Sequence, residues 1–137
     1  MLPADVREFL EEPHYAVMAT INASGTPQLT VMWYALHPTE DIILLNSSGG
    51  LLKVKNLRRD PRASFCAVSD SWYGPWLQAE GTASIVSLPD AMEPLIEYYR
   101  SLAGEHPDWD DYRAAMERDR RVIVRIELER AGPDRQG

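Results

Sequence analysis

The segment Asn46-Ser47-Ser48-Gly49-Gly50-Leu51-Leu52-Lys53 holds the residue types and the spacing that suit an anion. Ile42-Ile43-Leu44-Leu45 reads as a short buried strand, and Ser47-Ser48-Gly49-Gly50 as the opening of a helix that runs to about Asp60 and stops at Pro61. The first turn of a helix leaves backbone N–H groups without partners, and the aligned peptide dipoles favour negative charge there. Glycines let that backbone come close to a phosphate, and serine hydroxyls add donors. At about 100° per residue, Lys55, Arg58 and Arg59 share one helix face, while Lys53 lies nearly opposite, beside Val54 and Leu57. A lysine on an inward-leaning face needs a partner, and a ligand phosphate is one. The plainer alternative is that Ser48 only caps the helix and Lys53 only snorkels to water. The Gly-x-x-x-x-Gly-Lys-Ser/Thr pattern of a P-loop is absent.

Charge narrows the choice of ligand. The 137 residues carry a formal charge of −7, which opposes nonspecific binding to nucleic acid. Against that background Lys53, Lys55, Arg58, Arg59 and Arg62 form a local basic patch, better suited to a small anion than to a polymer. No apolar run is long enough to cross a bilayer, the acidic N-terminus does not resemble a signal peptide, and Cys66 has no partner for an internal disulfide. The expectation is a cytoplasmic protein that binds neither membrane nor nucleic acid.

Other chemistry is weakly represented. His14, His37 and His106 are far apart, and no His-Glu-x-x-His or Cys-x-x-Cys pattern exists, so no metal is expected. Asp108, Asp110 and Asp111 read as a helix start, with Asp108 as the N-cap. Cys66, within an apolar strand, reads as a buried small hydrophobe, and no serine–histidine pair suggests acyl transfer. No catalytic acid, base or nucleophile is assigned. Trp109 falls on a helical stripe, whereas Trp72-Tyr73-Gly74-Pro75-Trp76 reads as a loop that meets a ligand or a partner subunit.

The elements that position these residues are mostly strands. A short amphipathic helix lies between Pro3 and Pro13. Tyr15–Ile21 and Gln28–Tyr34 flank the turn Asn22-Ala23-Ser24-Gly25 as a hairpin. Ser64–Val68 and Trp76–Val86 read as strands, with a bulge at Gly81. Helices follow at Pro89–Leu102, ended by Gly104, and at Asp108–Arg118, with Trp109, Tyr112 and Met116 on one stripe. Arg121–Arg130 alternates as a half-exposed strand, with Val122, Val124, Ile126 and Leu128 inward. A polar tail begins at about residue 131. Short strands joined by turns, with helices inserted late, predict one mainly β domain over residues 1–137, an antiparallel barrel with helices over its openings.

Three stretches together resemble the pyridoxamine 5′-phosphate oxidase-like split barrels. They are Gly25-Thr26-Pro27-Gln28 leading to Trp33-Tyr34, the run from Lys53 through Asn56-Leu57-Arg58-Arg59-Asp60-Pro61-Arg62 to Ser64, and Ala79-Glu80-Gly81-Thr82-Ala83. Leu102-Ala103-Gly104-Glu105-His106, Asp108-Trp109-Asp110-Asp111-Tyr112-Arg113 and Asp119-Arg120-Arg121-Val122 resemble more specifically the actinobacterial branch that uses the deazaflavin coenzyme F-420. The resemblance implies an FMN-binding-type split β-barrel homodimer with cofactor sites at the subunit interface. It implies that Lys53, Asn46, Ser47 and Ser48 hold the cofactor phosphate, that the ring lies against Gln28, Thr30 and Met32, and that Trp76 of the partner walls the pocket. The implied activity is hydride transfer from reduced F-420 to an unsaturated small-molecule acceptor. The alternatives are an FMN-dependent oxidoreductase of the same fold and a non-catalytic binder of a flavin, deazaflavin or haem derivative. One position departs from the pattern. Many relatives carry arginine one or two residues before the phosphate lysine, where this chain has Leu51 and Leu52. The lost guanidinium contact would have to come from Lys55 or from the partner chain.

Overall fold

Alternating apolar residues carry over into strands whose buried positions share one face. The computed structural model describes residues 2–12, 15–71 and 74–132. These form β1 (Tyr15–Ile21), β2 (Pro27–Met32), β3 (Ala35–Leu36), β4 (Ile42–Ser48), β5 (Arg62–Val68), β6 (Trp76–Val86) and β7 (Arg121–Ala131), with helices α1 (Ala4–Glu11), α2 (Leu52–Arg59), α3 (Met92–Ala103) and α4 (Trp109–Arg118). The strands make one sheet in the order β2-β1-β5-β6-β7-β4-β3, and every pairing in it is antiparallel. The sheet thus ends in two edges, β2 and β3, as a split barrel requires.

Its inner face gathers Ala16, Met18, Phe65, Leu77, Val122, Val124 and Ile126, closed by Val6 and Leu10 of α1 and by Val54 and Leu57 of α2. A second cluster lies outside the barrel, where Leu44 and Ile123 meet Leu95, Ile96, Tyr112 and Met116 of α3 and α4. Ile123 corrects the expectation of a half-exposed last strand. The first half of β7 is buried on both faces, because α3 and α4 cover the side away from the barrel.

Local signals set several details. β6 bulges between Glu80 and Gly81, where a Cβ would come within 2.0 Å of the Glu127 carbonyl oxygen, so only glycine fits. Asp108 caps α4 by accepting from the Asp111 N–H at 3.1 Å, and Gly104 ends α3 at φ 77°. Other boundaries moved. β2 stops at Met32 rather than Tyr34, β3 is an additional short edge strand, and α3 begins at Met92 rather than Pro89. The last strand extends to Ala131, and Gly132 still donates to the Gln78 carbonyl at 2.8 Å, so the polar tail starts later than expected.

Asn56 is the polar centre of the barrel end and was not anticipated. Fully buried on α2, it donates to Thr20 Oγ1 and Asn22 Oδ1, each at 3.1 Å, and accepts from Arg59 at 3.0 Å. Thr20 in turn donates to Gln28 Oε1 at 2.9 Å, and Gln28 donates to Thr30 Oγ1 at 2.7 Å. This chain of bonds ties the helix that carries Lys53 to the β1–β2 hairpin. Replacing Asn56 by alanine leaves Asn22 and Arg59 short of partners and should lower stability by about 2–3 kcal/mol in urea unfolding. An unchanged midpoint would show that packing alone holds α2 in place.

Candidate active site

The β4–β7 ladder decides which side chains meet. Ser48 pairs with Arg121 and Asn46 with Ile123, so Asn46, Ser48 and Arg121 project from the same face, the one covered by α3 and α4. Ser47 points the other way and is almost fully buried. The helix does not begin on the serines, as the sequence suggested. Asn46, Ser47 and Ser48 belong to β4, α2 starts at Leu52, and Leu51 occupies the N-cap without a side-chain cap. Ser48 is therefore not an N-cap, and Lys53 stands in the first turn, half-buried.

This corner is rich in unpartnered polar groups. Asn46 Oδ1, Ser47 Oγ and Arg121 Nε are all shielded from solvent without a hydrogen-bond partner. Among the described residues, the Asn46 amide otherwise reaches only the Met116 sulfur, at 3.8 Å. The Lys53 ammonium has its pKa pushed below the usual lysine value, first by burial and then by the positive charge of Arg121. Burial raises the Tyr98 phenol, an effect eased by the Asn46 backbone and by Arg121. Tyr112 is pushed up to about 12, mainly by burial, and donates to the Leu95 carbonyl at 2.8 Å. Two cations and an open amide oxygen thus lie at this end of β4, with the Ser47 hydroxyl on the strand's opposite face, and no described protein group satisfies them. Such a set fits a phosphate ester with a hydroxylated chain, the anionic part of a flavin or deazaflavin.

The remaining site candidates divide into two places. Gln28 and Thr30 face inward and are held by the Asn56 network, and Met32 is buried in the core, so the β2 backbone rather than these side chains is left to meet a ring. Trp76 is half-buried at the start of β6, opposite Val68. Val86, at the other end of β6, pairs with Ile123 next to Asn46. Trp76 therefore lies about 30 Å along the strand from the Lys53 corner of its own chain. Trp72, Tyr73 and His14 lie outside the described residues.

The basic patch of α2 and the start of β5 is partly structural. Arg59 donates to the Ile21 carbonyl and to Asn56, and Arg62 pairs with Asp60 at 2.7 Å, holding that carboxyl near a pKa of about 2. Arg58 touches Ser87 Oγ at 3.3 Å, and Lys55 is exposed. Cys66 is half-buried rather than fully so, and burial raises its thiol pKa, which keeps it protonated. Among the described residues, no three His, Cys, Asp or Glu side chains group as metal ligands, and no helix is long and apolar enough to cross a membrane.

Arg121 is the site residue that sequence reasoning missed. Its alternation placed it on a solvated strand face with Arg125 and Glu127. Only the pairing of β7 with β4, remote in sequence, brings it beside Ser48.

Comparison with known proteins agrees with this architecture. The family model described as pyridoxamine 5′-phosphate oxidase matches residues 2–132. The chain is 27% identical over 129 residues to an F-420H(2)-dependent biliverdin reductase of Mycobacterium tuberculosis (strain CDC 1551 / Oshkosh), covering 94% of this chain and 85% of the relative. Among solved structures, a conserved hypothetical protein of Mycobacterium tuberculosis superposes with a TM-score of 0.77 at 31% identity, over 96% of this chain and 82% of that one. An F-420 reductase superposes with a TM-score of 0.74 over 96% and 98% of the two chains, at 22% identity, which speaks to the fold.

The lowered Lys53 pKa has a thermodynamic consequence. A cation whose folded pKa is depressed weakens the fold while it stays charged, and the penalty fades as pH rises toward the ordinary lysine value. Ligand-free Lys53→Met should therefore be at least as stable as the parent at neutral pH in thermal melts, with a flatter pH dependence in the alkaline range. A clear loss of stability would mean that Lys53 has a structural partner.

Proposed function

Since the chain belongs to the pyridoxamine 5′-phosphate oxidase family, we propose that it is an oxidoreductase that uses reduced coenzyme F-420 as hydride donor to an unsaturated small-molecule acceptor. The observation that carries this reading is the likeness to the F-420H(2)-dependent biliverdin reductase over 94% of the chain. The unpartnered polar corner supports it, because an anionic cofactor supplies what Lys53 and its neighbours lack. When bound, the reduced deazaflavin supplies the hydride. The protein's part is to anchor, orient and exclude water, so no acid or base is required of it. Lys53 with Ser48 takes the phosphate, the Asn46 amide oxygen takes a hydroxyl of the linking chain, and the β2 backbone backs the ring, while Ser47, on the other face of β4, is left without a contact role.

The working unit in this reading is a homodimer. Leu29, Val31 and Trp33 are 63%, 68% and 61% exposed, with Tyr15 edge-to-face against Trp33 at 6.4 Å. An apolar stripe of this kind along an edge strand calls for a cover, and a second copy supplies one. Pairing across it also gives Trp76, too far from its own Lys53 corner, a route to the partner's site.

A second reading is favoured by Leu51 and Leu52, which are exposed where many relatives carry arginine. It keeps the same pocket but makes FMN the cofactor, or makes the protein a carrier without turnover.

Titration with F-420 and FMN separates these readings. Tighter binding of F-420, with acceptor reduction by the reduced form, supports the first. Preference for FMN, or binding without turnover across a broad acceptor panel, supports the second. Lys53→Ala should weaken F-420 binding by about 1.5–3 kcal/mol, the usual worth of a hydrogen bond to a charged group. Unchanged affinity would remove Lys53 from the site. Leu29→Glu with Val31→Glu should convert a dimer to monomer in analytical ultracentrifugation, and an unaltered sedimentation coefficient would place the interface elsewhere.

A further inference from the structure

Lys53 and Arg121 come from elements almost seventy residues apart, and neither side chain forms a hydrogen bond or ion pair with any described residue, although the chain has 21 acidic residues to 14 basic ones. Asp119 pairs with Arg118, and the acids on and just after α3 pair with other arginines. Glu93 pairs with Arg113, and Glu97 and Glu105 both pair with Arg100. Glu117 lines a cavity of about 270 Å³ together with Arg58, Arg120 and Arg121, yet forms no ion pair with them. Arg121 sits opposite Ser48 in the β4–β7 ladder, with its Nε shielded from water and unpartnered. Ser48, opposite Arg121 in the ladder, and Gly49, which lines the same cavity as Arg121, lead directly into the first turn of α2. Two half-buried cations therefore share this end of the sheet without a counter-ion among the described residues, an unfavourable arrangement unless an anion joins them.

We propose that Arg121 is the second cation of the phosphate anchor, so that Lys53 and Arg121 close on one phosphate and Arg121 stands in for the guanidinium that Leu51 and Leu52 do not provide. This rests on the phosphate-anchored cofactor proposed above. Arg121 brings the fork geometry that a lysine lacks. It approaches from the sheet side, while Lys53 approaches from the helix. Its backbone is held in the β4–β7 ladder and its side chain is half-buried, which limits the freedom lost when the ligand arrives.

The test compares wild type, Arg121→Gln and Arg121→Lys by calorimetric titration with FMN, F-420, riboflavin and inorganic pyrophosphate, with circular dichroism and thermal melting to confirm folding. Arg121→Gln should bind FMN, F-420 and pyrophosphate about ten- to a hundredfold more weakly, while riboflavin, which lacks the phosphate, binds unchanged. Arg121→Lys should recover part of the loss, and it keeps the test open should the glutamine variant fail to fold. Equal affinity of wild type and both variants for the phosphate-bearing ligands would overturn the proposal, as would an equal loss for riboflavin. Should wild type bind no flavin or deazaflavin yet bind pyrophosphate through Arg121, the cofactor reading falls and the two-cation site stands. Binding of neither anion nor cofactor overturns both.

Discussion

Partial burial of positive charge without a counter-ion is the constraint on which the rest of this structure turns. The β4–β7 ladder sets Arg121 against Ser48, α2 carries Lys53 to the same corner, and α3 and α4 cover the outer face. Each contact removes water from the two cations, and none returns a carboxylate. A fold that only had to be stable would place an acid here or leave both side chains in solvent. The cost of omitting that acid becomes affinity once an anion arrives, because the donors are already dry and in place.

The remaining architecture keeps this corner rigid. Asn56 joins α2 to Thr20 and Asn22, and the bonds continue to Gln28 and Thr30, so the anchor helix and the strand behind the proposed ring position move as one body. Val54 and Leu57 pin the same helix into the barrel. The bulge at Gly81 brings β6 close against Glu127 of β7. Polar satisfaction is complete around Asn56 and incomplete around Asn46, Ser47 and Arg121, and this contrast separates scaffold from site.

Local chemistry was legible in the sequence where its causes were local. The β1–β2 hairpin, the Gly81 bulge, the Asp108 cap and the Gly104 stop each depend on residues a few positions apart, and each stands where the pattern placed it. The inward lean of Lys53, read from its phase relative to Val54 and Leu57, also stands. What escaped depends on distant pairing. Arg121 looked solvated, and the strand half-exposed, because alternation cannot show that α3 and α4 cover that face. Asn56 looked like one more polar residue on a basic helix, and Arg59 like a free charge, until the turn of β1 closed over them. Ser47 and Ser48 read as the opening of a helix, not as the end of β4, because small polar residues end strands more often than they extend them.

Lys53 reports directly on this half-buried charge. Measuring its ammonium pKa by NMR, first in ligand-free protein and then saturated with F-420, compares the cation alone with the cation beside a phosphate. The expected result is a value below that of an ordinary lysine in the free protein and a marked rise on binding. A pKa that is normal in the free protein, or that does not move when the cofactor binds, would contradict it.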